Sequence, residues 1–596
     1  MKTDEKLNAL RQLMGERSLS AYIIPTDDFH SSEYVGRYFK AREYMSGFTG
    51  SAGTLVVLPD KAALWTDGRY FLQAAKQLED SSITLMRSGQ PGVPEIGQYL
   101  YDNLQENAVI GFDGRTVTRK FVKTIAEKTD EKQITFDGRE DLVGRIWVDR
   151  PELSREPVWE LDVQYAGKSR TEKIQEVRAK MREEKADYLL LTALDEIAWL
   201  FNLRGGDVAY TPVFLSYLLL TQEQILLFAH KEIFSEELSV KLGQEGVVID
   251  RYDAIEQAVS DLPAESRIWL DSGVVNYRLT ESVPESVKIL DQASPVVLMK
   301  AVKTPTEMEN VRAAHVKDGV AVTRFIHWLK SSVGSEEVTE MSAAGKLEEF
   351  RRQMEGYLEP SFESIIAYGP HGAIVHYAPT EQTDSRMRRE SFCLADTGGH
   401  YREGTTDITR TITLGTLSEE EKRAYTTVLR GHLTLGAVKF VEGVNGQNLD
   451  VLAREPLWEA GMDYNHGTGH GVGYILGVHE GPQRFHWRLA PGAKSVPLQE
   501  GMIISNEPGL YLEGKFGIRH ENLMLCRKGE KNEYGQFMYL EPLTMVPFDR
   551  EAIAPELMSQ KELQWLNDYH RKVYETLAPH MEEDEVAWLR EMTAEI

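Results

Sequence analysis

Residues 391–415 read SFCLADTGGHYREGTTDITRTITLG. SFCLADTG, from Ser391, and DITRTITLG, from Asp407, are two strand-like runs joined by a Gly-containing turn, the pattern of a β-hairpin. Asp396 ends the apolar run FCLAD and Asp407 opens the second run, so pairing the strands brings two carboxylates side by side. Upstream, Thr306-x-x-Glu309 is a capping-box pattern that opens a long helix through ENVRAAHVKDGVAVTRFIHWL, and a second helical period covers 336–354. Downstream, Ser418-x-x-Glu421 caps a helix expected to reach about residue 440. Strands are expected over 502–505 and 518–526, and residues 555–596 read as helix. Helices flanking a mixed or antiparallel sheet predict an α+β domain over 304–596.

The first half has a different rhythm. KLNALRQLMGERSLSAYIIPT begins at Lys6, and KIQEVRAKMREEKADYLLLT begins at Lys173. Each is an amphipathic helix followed by a short apolar strand, with Leu7, Leu10, Leu13 and Met14 on one face of the first helix and Ile174, Val177 and Met181 on the second. Gly turns and further apolar strands follow in both copies. The period is too long for a solenoid, so the pattern predicts two related α/β domains, 1–155 and 156–303.

Composition narrows the partners. With 42% apolar and 27% charged residues the chain is globular rather than disordered. There are 67 Lys and Arg against 93 Asp and Glu, a formal charge of −26, which disfavours both a phosphate backbone and an anionic membrane as partner. Two cysteines, Cys393 and Cys526, exclude a disulfide scaffold. The start, MKTDEKLNALRQLM, has no apolar core of a secretory signal, and the longest apolar runs, such as VFLSYLLL over 213–220, are far below the roughly 20 residues of a membrane span. These features predict a cytoplasmic protein with neither nucleic acid nor membrane as partner.

The second half also holds residues of ligand type. Beyond Asp396 and Asp407, His470 lies in HGTGHGVG, Glu507 follows MIIS in SNEPG, and Glu521 lies in GIRHENLMLC. Taken singly, each has an ordinary explanation: an Asp at a strand end caps a turn, a His in a Gly loop is solvated, Glu521 pairs with Arg519. The glycine run lacks the Lys-Ser/Thr of a phosphate loop. Taken together, four carboxylates meeting at one place would repel one another and raise their pKa values, and two divalent cations would relieve that conflict. Oxygen-rich ligands with one imidazole suit Mn²⁺, and also Co²⁺, Fe²⁺ or Zn²⁺.

In order and spacing these residues resemble the pita-bread metallopeptidases, a family that includes methionine aminopeptidase, prolidase, creatinase and aminopeptidase P. WTDGRYFLQA from Trp65, PSFESIIAYGPHGAIVHYAP from Pro360, GTTDITRT from Gly404, VHEGP from Val478 and NEPGLY from Asn506 carry the likeness along most of the chain. It is nearest to the long aminopeptidase P type. The resemblance implies two creatinase N-terminal-like domains ahead of a pita-bread catalytic domain. It implies two metal ions, manganese by family expectation, held by Asp396, Asp407, His470, Glu507 and Glu521, with Asp407 and Glu521 bridging. It assigns His376 and His479 to the substrate and the transition state, and Glu507 to proton shuttling as well as to the metal. Phe362 and Arg519 are expected to complete the substrate wall. The implied reaction removes the residue ahead of a proline at position two of a short peptide, by attack of a hydroxide shared between the metals, in a homodimer. A loop-length difference from relatives is expected over 484–494.

Prolidase is the alternative within the family, although two N-terminal domains favour the longer type. Creatinase is weaker, and relatives that have lost their ligands and only bind partners would lack several of the five residues. His432 is expected to be structural, the charge run from Ser418 to be a solvated helix start, and Arg69 of WTDGRY to be structural rather than a contact to a neighbouring subunit. His466 is balanced between supporting the metals and a loop hydrogen bond. Cys393 and Cys526 are expected as inert buried thiols.

Overall fold

The computed structural model describes residues 1–489 and 495–596, so the second part of the expected loop difference lies outside the described residues. The chain forms two compact units, one of residues 1–163 and 168–297, the other of 164–167 and 298–596.

The first unit holds two six-stranded sheets. In space, the first runs Ile83–Arg87, Ala62–Thr66, Thr54–Val57, Ala21–Pro25, Val109–Phe112, Thr135–Asp137. The second runs Val247–Asp250, Ile225–Ala229, Ser216–Leu220, Tyr188–Leu191, Arg267–Leu270, Lys288–Asp291. The pairing senses also match. Ala21–Pro25 is antiparallel to Thr54–Val57 and parallel to Val109–Phe112, and Tyr188–Leu191 is antiparallel to Ser216–Leu220 and parallel to Arg267–Leu270. The repeated helix-then-strand pattern is therefore one topology used twice. Its two opening helices, Thr3–Glu16 and Arg170–Glu183, bury Leu7, Leu10 and Met14 and Ile174, Val177 and Met181, as their 3.6-residue spacing requires.

The second unit is built on the sheet Ile365–Tyr368, Phe392–Thr397, Ile408–Thr413, all antiparallel, with Asp396 opposite Thr409. A tighter hairpin, Gly399–Tyr401 with Gly404–Thr405, is inserted between the two long strands. A second sheet runs Lys439–Val441, Gly535–Pro542, Asn522–Asn532, Ile503–Asn506. Helices Pro305–Ser332 and Glu340–Arg352 lay Phe325, Ile326, Leu329 and Leu347 on Ile366, Cys393, Ala395 and Ile412 of the first sheet. Helix Glu419–Gly436 packs Val428, Leu429 and Leu433 with Phe516, Ile518, Phe548 and Val573.

Several sequence expectations shift. The long helix is capped not by Thr306 and Glu309 but by Thr304, whose Oγ1 accepts from the Glu307 N–H at 3.2 Å while Glu307 Oε2 accepts from the Thr304 N–H at 2.8 Å. Pro305 explains the register: it occupies the first helical position, where no N–H needs a partner. The helix begun at Ser418 stops at Gly436, and 439–441 pairs as a strand. The C-terminal helical stretch is two helices, Gln560–Leu577 and Glu583–Met592, separated by a turn containing Pro579. Cys393 and Cys526 are buried free thiols. Among the described residues no helix is long and apolar enough to cross a membrane.

One close approach joins the turn Gly369–Ala373 to the strand Phe516–Arg519. A Cβ on Gly517 would lie 1.7 Å from the Gly372 carbonyl oxygen, so only glycine fits. Gly517→Ala should therefore lower stability by about 1–3 kcal/mol, read as an earlier urea midpoint, because backbone must move to admit the methyl. An unchanged midpoint would contradict this contact.

Candidate metal centre

The centre is assembled from strand ends that the two sheets bring together. Asp396 lies at the end of one strand and Asp407 immediately before another. Glu521 lies between the strands Phe516–Arg519 and Asn522–Asn532, and its N–H donates to the Thr409 carbonyl at 3.1 Å. The Thr409 hydroxyl donates to Glu521 Oε2 at 2.7 Å. Arg410, 2% exposed, donates from Nη1 to the Glu521 carbonyl at 2.7 Å and from Nη2 to Asn522, Val546 and Tyr569. Backbone and side chain of Glu521 are thus both fixed.

His470 enters from the glycine run. A Cβ on Gly469 would lie 1.9 Å from the Ser505 carbonyl, and one on Gly471 would lie 2.0 Å from the Glu480 carbonyl, which explains glycine on either side. The His470 N–H donates to Ser505 Oγ at 2.9 Å, and its Nδ1 faces the Gly471 carbonyl at 3.0 Å. The other ring nitrogen, Nε2, lies 3.5 Å from Asp407 Oδ2 and 3.4 Å from Glu507 Oε1. Ser505 Oγ also donates to Glu507 Oε1 at 3.2 Å. One ligand atom each from Asp407, His470 and Glu521 lie within 4.8 Å of one another.

Asp396 adjoins this group through charge. Burial raises its pKa; Arg519 opposes and Asp407 adds to that, leaving it at about 6. Burial, with Asp407, Glu507 and Asp396 as neighbouring anions, lifts the Glu521 carboxyl well above its usual range. Burial works against the His470 imidazolium, but the hydrogen bond to Asp407 and the charges of Glu507 and Asp407 outweigh it and push the ring to about 9. Asp396 Oδ1 is buried with no hydrogen-bond partner. An oxygen-rich donor set with one imidazole, crowded anions and a bare carboxylate oxygen fits hard or borderline divalent cations.

The accessory residues divide. The His479 ring stands edge-on to His470, centroids 4.3 Å apart. His376 follows Val375, whose carbonyl accepts from Arg519 Nη2 at 3.4 Å. Phe362 borders Gly398 in the turn after Asp396, where an added Cβ would meet its ring at 2.9 Å. Arg519, expected against the substrate, is 1% exposed and lies behind Asp396. Its Nη2 donates to Asp396 Oδ2 at 2.5 Å, its Nη1 to the Tyr511 hydroxyl at 2.8 Å and its Nε to Thr409 Oγ1 at 3.2 Å. His466 Nε2 meets the same Tyr511 hydroxyl at 2.9 Å, so it joins the chain that ends on Asp396. His432 is buried with Nδ1 at the Asn506 carbonyl, and burial pushes its pKa down to about 3, a structural setting. Arg69 pairs with Asp67 and Glu33 in the first unit.

Two supports have no sequence signature. Arg410 is one. Glu340 is the other: fully buried, it accepts from the Tyr368 N–H, His371 Nδ1, the Tyr377 hydroxyl and the Ser385 N–H at 2.8–3.0 Å, pinning the segment that carries His376. Only its set of donors, 28 to 45 positions downstream of Glu340, marks it, and no local pattern reveals that.

Comparison with known proteins agrees with this architecture. Residues 309–528 match metallopeptidase family M24 and 536–596 the C-terminal region of that peptidase, while 6–141 and 149–307 each match the creatinase/prolidase N-terminal domain. The chain belongs to metallopeptidase family M24, with a doubled creatinase-type N-terminal half ahead of a pita-bread domain. Among its relatives, a probable Xaa-Pro aminopeptidase P of Laccaria bicolor is 38% identical over 600 residues, covering 99% of this chain and 93% of that one. Aminopeptidase P1 of Arabidopsis thaliana is 38% identical over 645 residues, covering 99% of each. The crystal structure of X-prolyl aminopeptidase from Caenorhabditis elegans, described as a cytosolic enzyme with a di-nuclear active site, matches over 100% of both chains with 34% identity and a TM-score of 0.95.

The raised pKa values give the cation-stripped site a pH signature. A group whose pKa is higher folded than unfolded stabilises the fold below its unfolded pKa and loses that contribution as pH rises through the folded value. For Asp396 the loss runs from about 3.8 to about 6, and for His470 from 6.5 to about 9. The melting temperature of chelator-treated protein should therefore fall between pH 6.5 and 9. The upward shift caused by added divalent cation should grow over the same range, because binding displaces these protons. A cation-induced shift independent of pH would argue against this site.

Proposed function

We propose that the protein is an Xaa-Pro aminopeptidase, a metal-dependent hydrolase that removes the first residue of short peptides with proline in second place. The gathering of Asp407, His470 and Glu521 within 4.8 Å, with Asp396 and Glu507 adjoining, is the observation that carries this reading. Relatives named for this activity match along nearly the whole chain.

In this reading Asp396, Asp407, His470, Glu507 and Glu521 hold two divalent cations, with manganese the expected metal and Co²⁺, Fe²⁺ or Zn²⁺ as alternatives. When bound, such a pair activates water and polarises the scissile carbonyl. The chain's own residues do the rest. Glu507, held by Ser505, takes a proton and delivers it to the leaving proline nitrogen. His479 donates to the oxyanion that forms. His376 and Phe362 border the proline ring, whose tertiary amide has no N–H and whose φ is fixed near −65°. Arg519 holds Asp396 in place through Nη2 rather than meeting substrate. Glu340 keeps the His376 segment from drifting, since errors of about 1 Å in a site of this kind are costly in rate.

Prolidase, which takes only dipeptides, is the second reading, and the doubled N-terminal half argues against it. The neighbour described as cytosolic, the acidic surface charge and the two free thiols support a cytoplasmic location. A homodimer with domains at 1–155, 156–303 and 304–596 completes the proposal.

Glu521→Ala should abolish both hydrolysis of a proline peptide and divalent-ion uptake while leaving the circular dichroism spectrum intact. Wild-type turnover in that variant would refute the assignment. His479→Gln should lower kcat by about 10²–10³ with KM nearly unchanged, as expected for a lost oxyanion donor. Wild-type protein should cleave Xaa-Pro-Xaa-Xaa at least as well as Xaa-Pro; cleavage of the dipeptide alone would favour prolidase.

A further inference from the structure

One buried ion pair touches the neighbours of two proposed ligands without touching the ligands themselves. Asp318, on helix Pro305–Ser332, is 3% exposed, and Arg351, in the last turn of helix Glu340–Arg352, is 0% exposed. Arg351 Nε donates to Asp318 Oδ1 at 2.8 Å and Nη2 to Oδ2 at 3.3 Å. The same Nη2 donates to Thr397 Oγ1 at 3.0 Å. Asp318 Oδ2 accepts from Thr406 Oγ1 at 2.9 Å, and Oδ1 from the Tyr401 hydroxyl at 2.9 Å. Thr397 directly follows Asp396, and Thr406 directly precedes Asp407.

The strand ladder runs out at this place. Phe392–Thr397 and Ile408–Thr413 pair as far as Thr397 opposite Ile408, so Asp407 lies one residue beyond the last pair. There the chain departs into the inserted hairpin, and Thr406 takes over from the ladder. Its N–H donates to the Gly399 carbonyl at 2.9 Å, its Oγ1 accepts from the Gly399 N–H at 2.9 Å, and its carbonyl accepts from Ser361 Oγ at 2.8 Å. The Thr406 hydroxyl proton then has two acceptors in reach, Asp318 Oδ2 at 2.9 Å and the Gly399 carbonyl at 3.3 Å, and the carboxylate is the nearer and the charged one. An anchor that only docked two helices on a sheet could use any backbone group. Here the ion pair takes the hydroxyls next to Asp396 and next to Asp407, and Thr397 and Thr406 are each 1% exposed.

We propose that the buried Asp318–Arg351 pair is a positioning device: through the Thr397 and Thr406 hydroxyls it sets the separation of Asp396 and Asp407, and so the affinity of the centre for its cations. This rests on the reading of Asp396 and Asp407 as ligands. Outer partners of this kind orient the inner ligands and typically change metal affinity about 10- to 100-fold when removed.

The test uses full-length protein, stripped with chelator, dialysed and titrated calorimetrically with Mn²⁺ alone, alongside the melting temperature of the stripped form. Thr397→Val and Thr406→Val each remove one hydroxyl at nearly constant shape. The expected result is a stripped-form melting temperature close to wild type, Mn²⁺ Kd weakened about 10- to 100-fold, and kcat lowered with KM little changed. Thr406→Ser, which keeps the hydroxyl, should bind Mn²⁺ as wild type does. Wild-type Mn²⁺ affinity in both valine variants would overturn the proposal and leave the pair as a structural anchor only. Should a valine variant fail to fold, Arg351→Lys is titrated instead against the same criterion. Wild-type protein that takes up no Mn²⁺ would overturn the reading of the centre itself, a different failure from two ions bound equally well by every variant.

Discussion

Four carboxylates in one largely buried space are the constraint on which the rest of this molecule depends. Two like charges about 4 Å apart repel by roughly 4 kcal/mol at the effective dielectric of a protein surface, and more where water is excluded. Asp396, Asp407 and Glu521 are each less than 10% exposed, and Glu507 lies against the same imidazole as Asp407. Protonation offers partial relief, as the raised pKa values of Asp396 and Glu521 express. Arg519 offers one positive charge, hydrogen-bonded to Asp396 and felt by Glu507, against four anions. Two divalent cations would balance the four anions outright, and the carboxylates that otherwise repel one another would become the groups that grip them.

Holding such a site open takes a stiff frame, and the frame is made of buried arginines and one buried glutamate. Arg410 ties the Glu521 backbone to Asn522, Val546 and Tyr569. Arg519 joins Asp396 to Tyr511 and Thr409, and Tyr511 extends the chain to His466. Glu340 gathers donors from four residues of the segment that carries His376. A planar guanidinium with five donors suits this task, since it can satisfy carbonyls and carboxylates on several strands at once. Removing one partner of such a network would leave the other buried and unpaired, so a substitution there is expected to be costly.

The sequence announces some of this and is silent on the rest. The hairpin around Asp396 and Asp407 is legible because its strands are apolar runs broken by glycines, and the duplicated N-terminal half because helix and strand periodicities recur in the same order. The five ligand-type residues are legible as a set, through type and order. The helix cap at Thr304 is misread by two residues because Thr306-x-x-Glu309 satisfies the same pattern and only the place of Pro305 decides between them. The supports are not legible. Arg519 lies two residues from Glu521 and reads as a substrate contact, yet its fully buried setting depends on Tyr511 and Val375, which no local pattern connects to it. Arg410 sits in an alternating strand where outward and inward positions look alike, and Glu340 gains its partners across 45 residues.

The central claim is that Asp396, Asp407, His470, Glu507 and Glu521 together grip two cations. Anomalous diffraction at the manganese edge from crystals grown with Mn²⁺ addresses it directly. The account predicts two peaks bounded by those five side chains, each within about 2.0–2.4 Å of its oxygen or nitrogen donors, the range of a divalent ion on hard ligands. A single peak, peaks elsewhere on the protein, or density for water alone between these residues would contradict it.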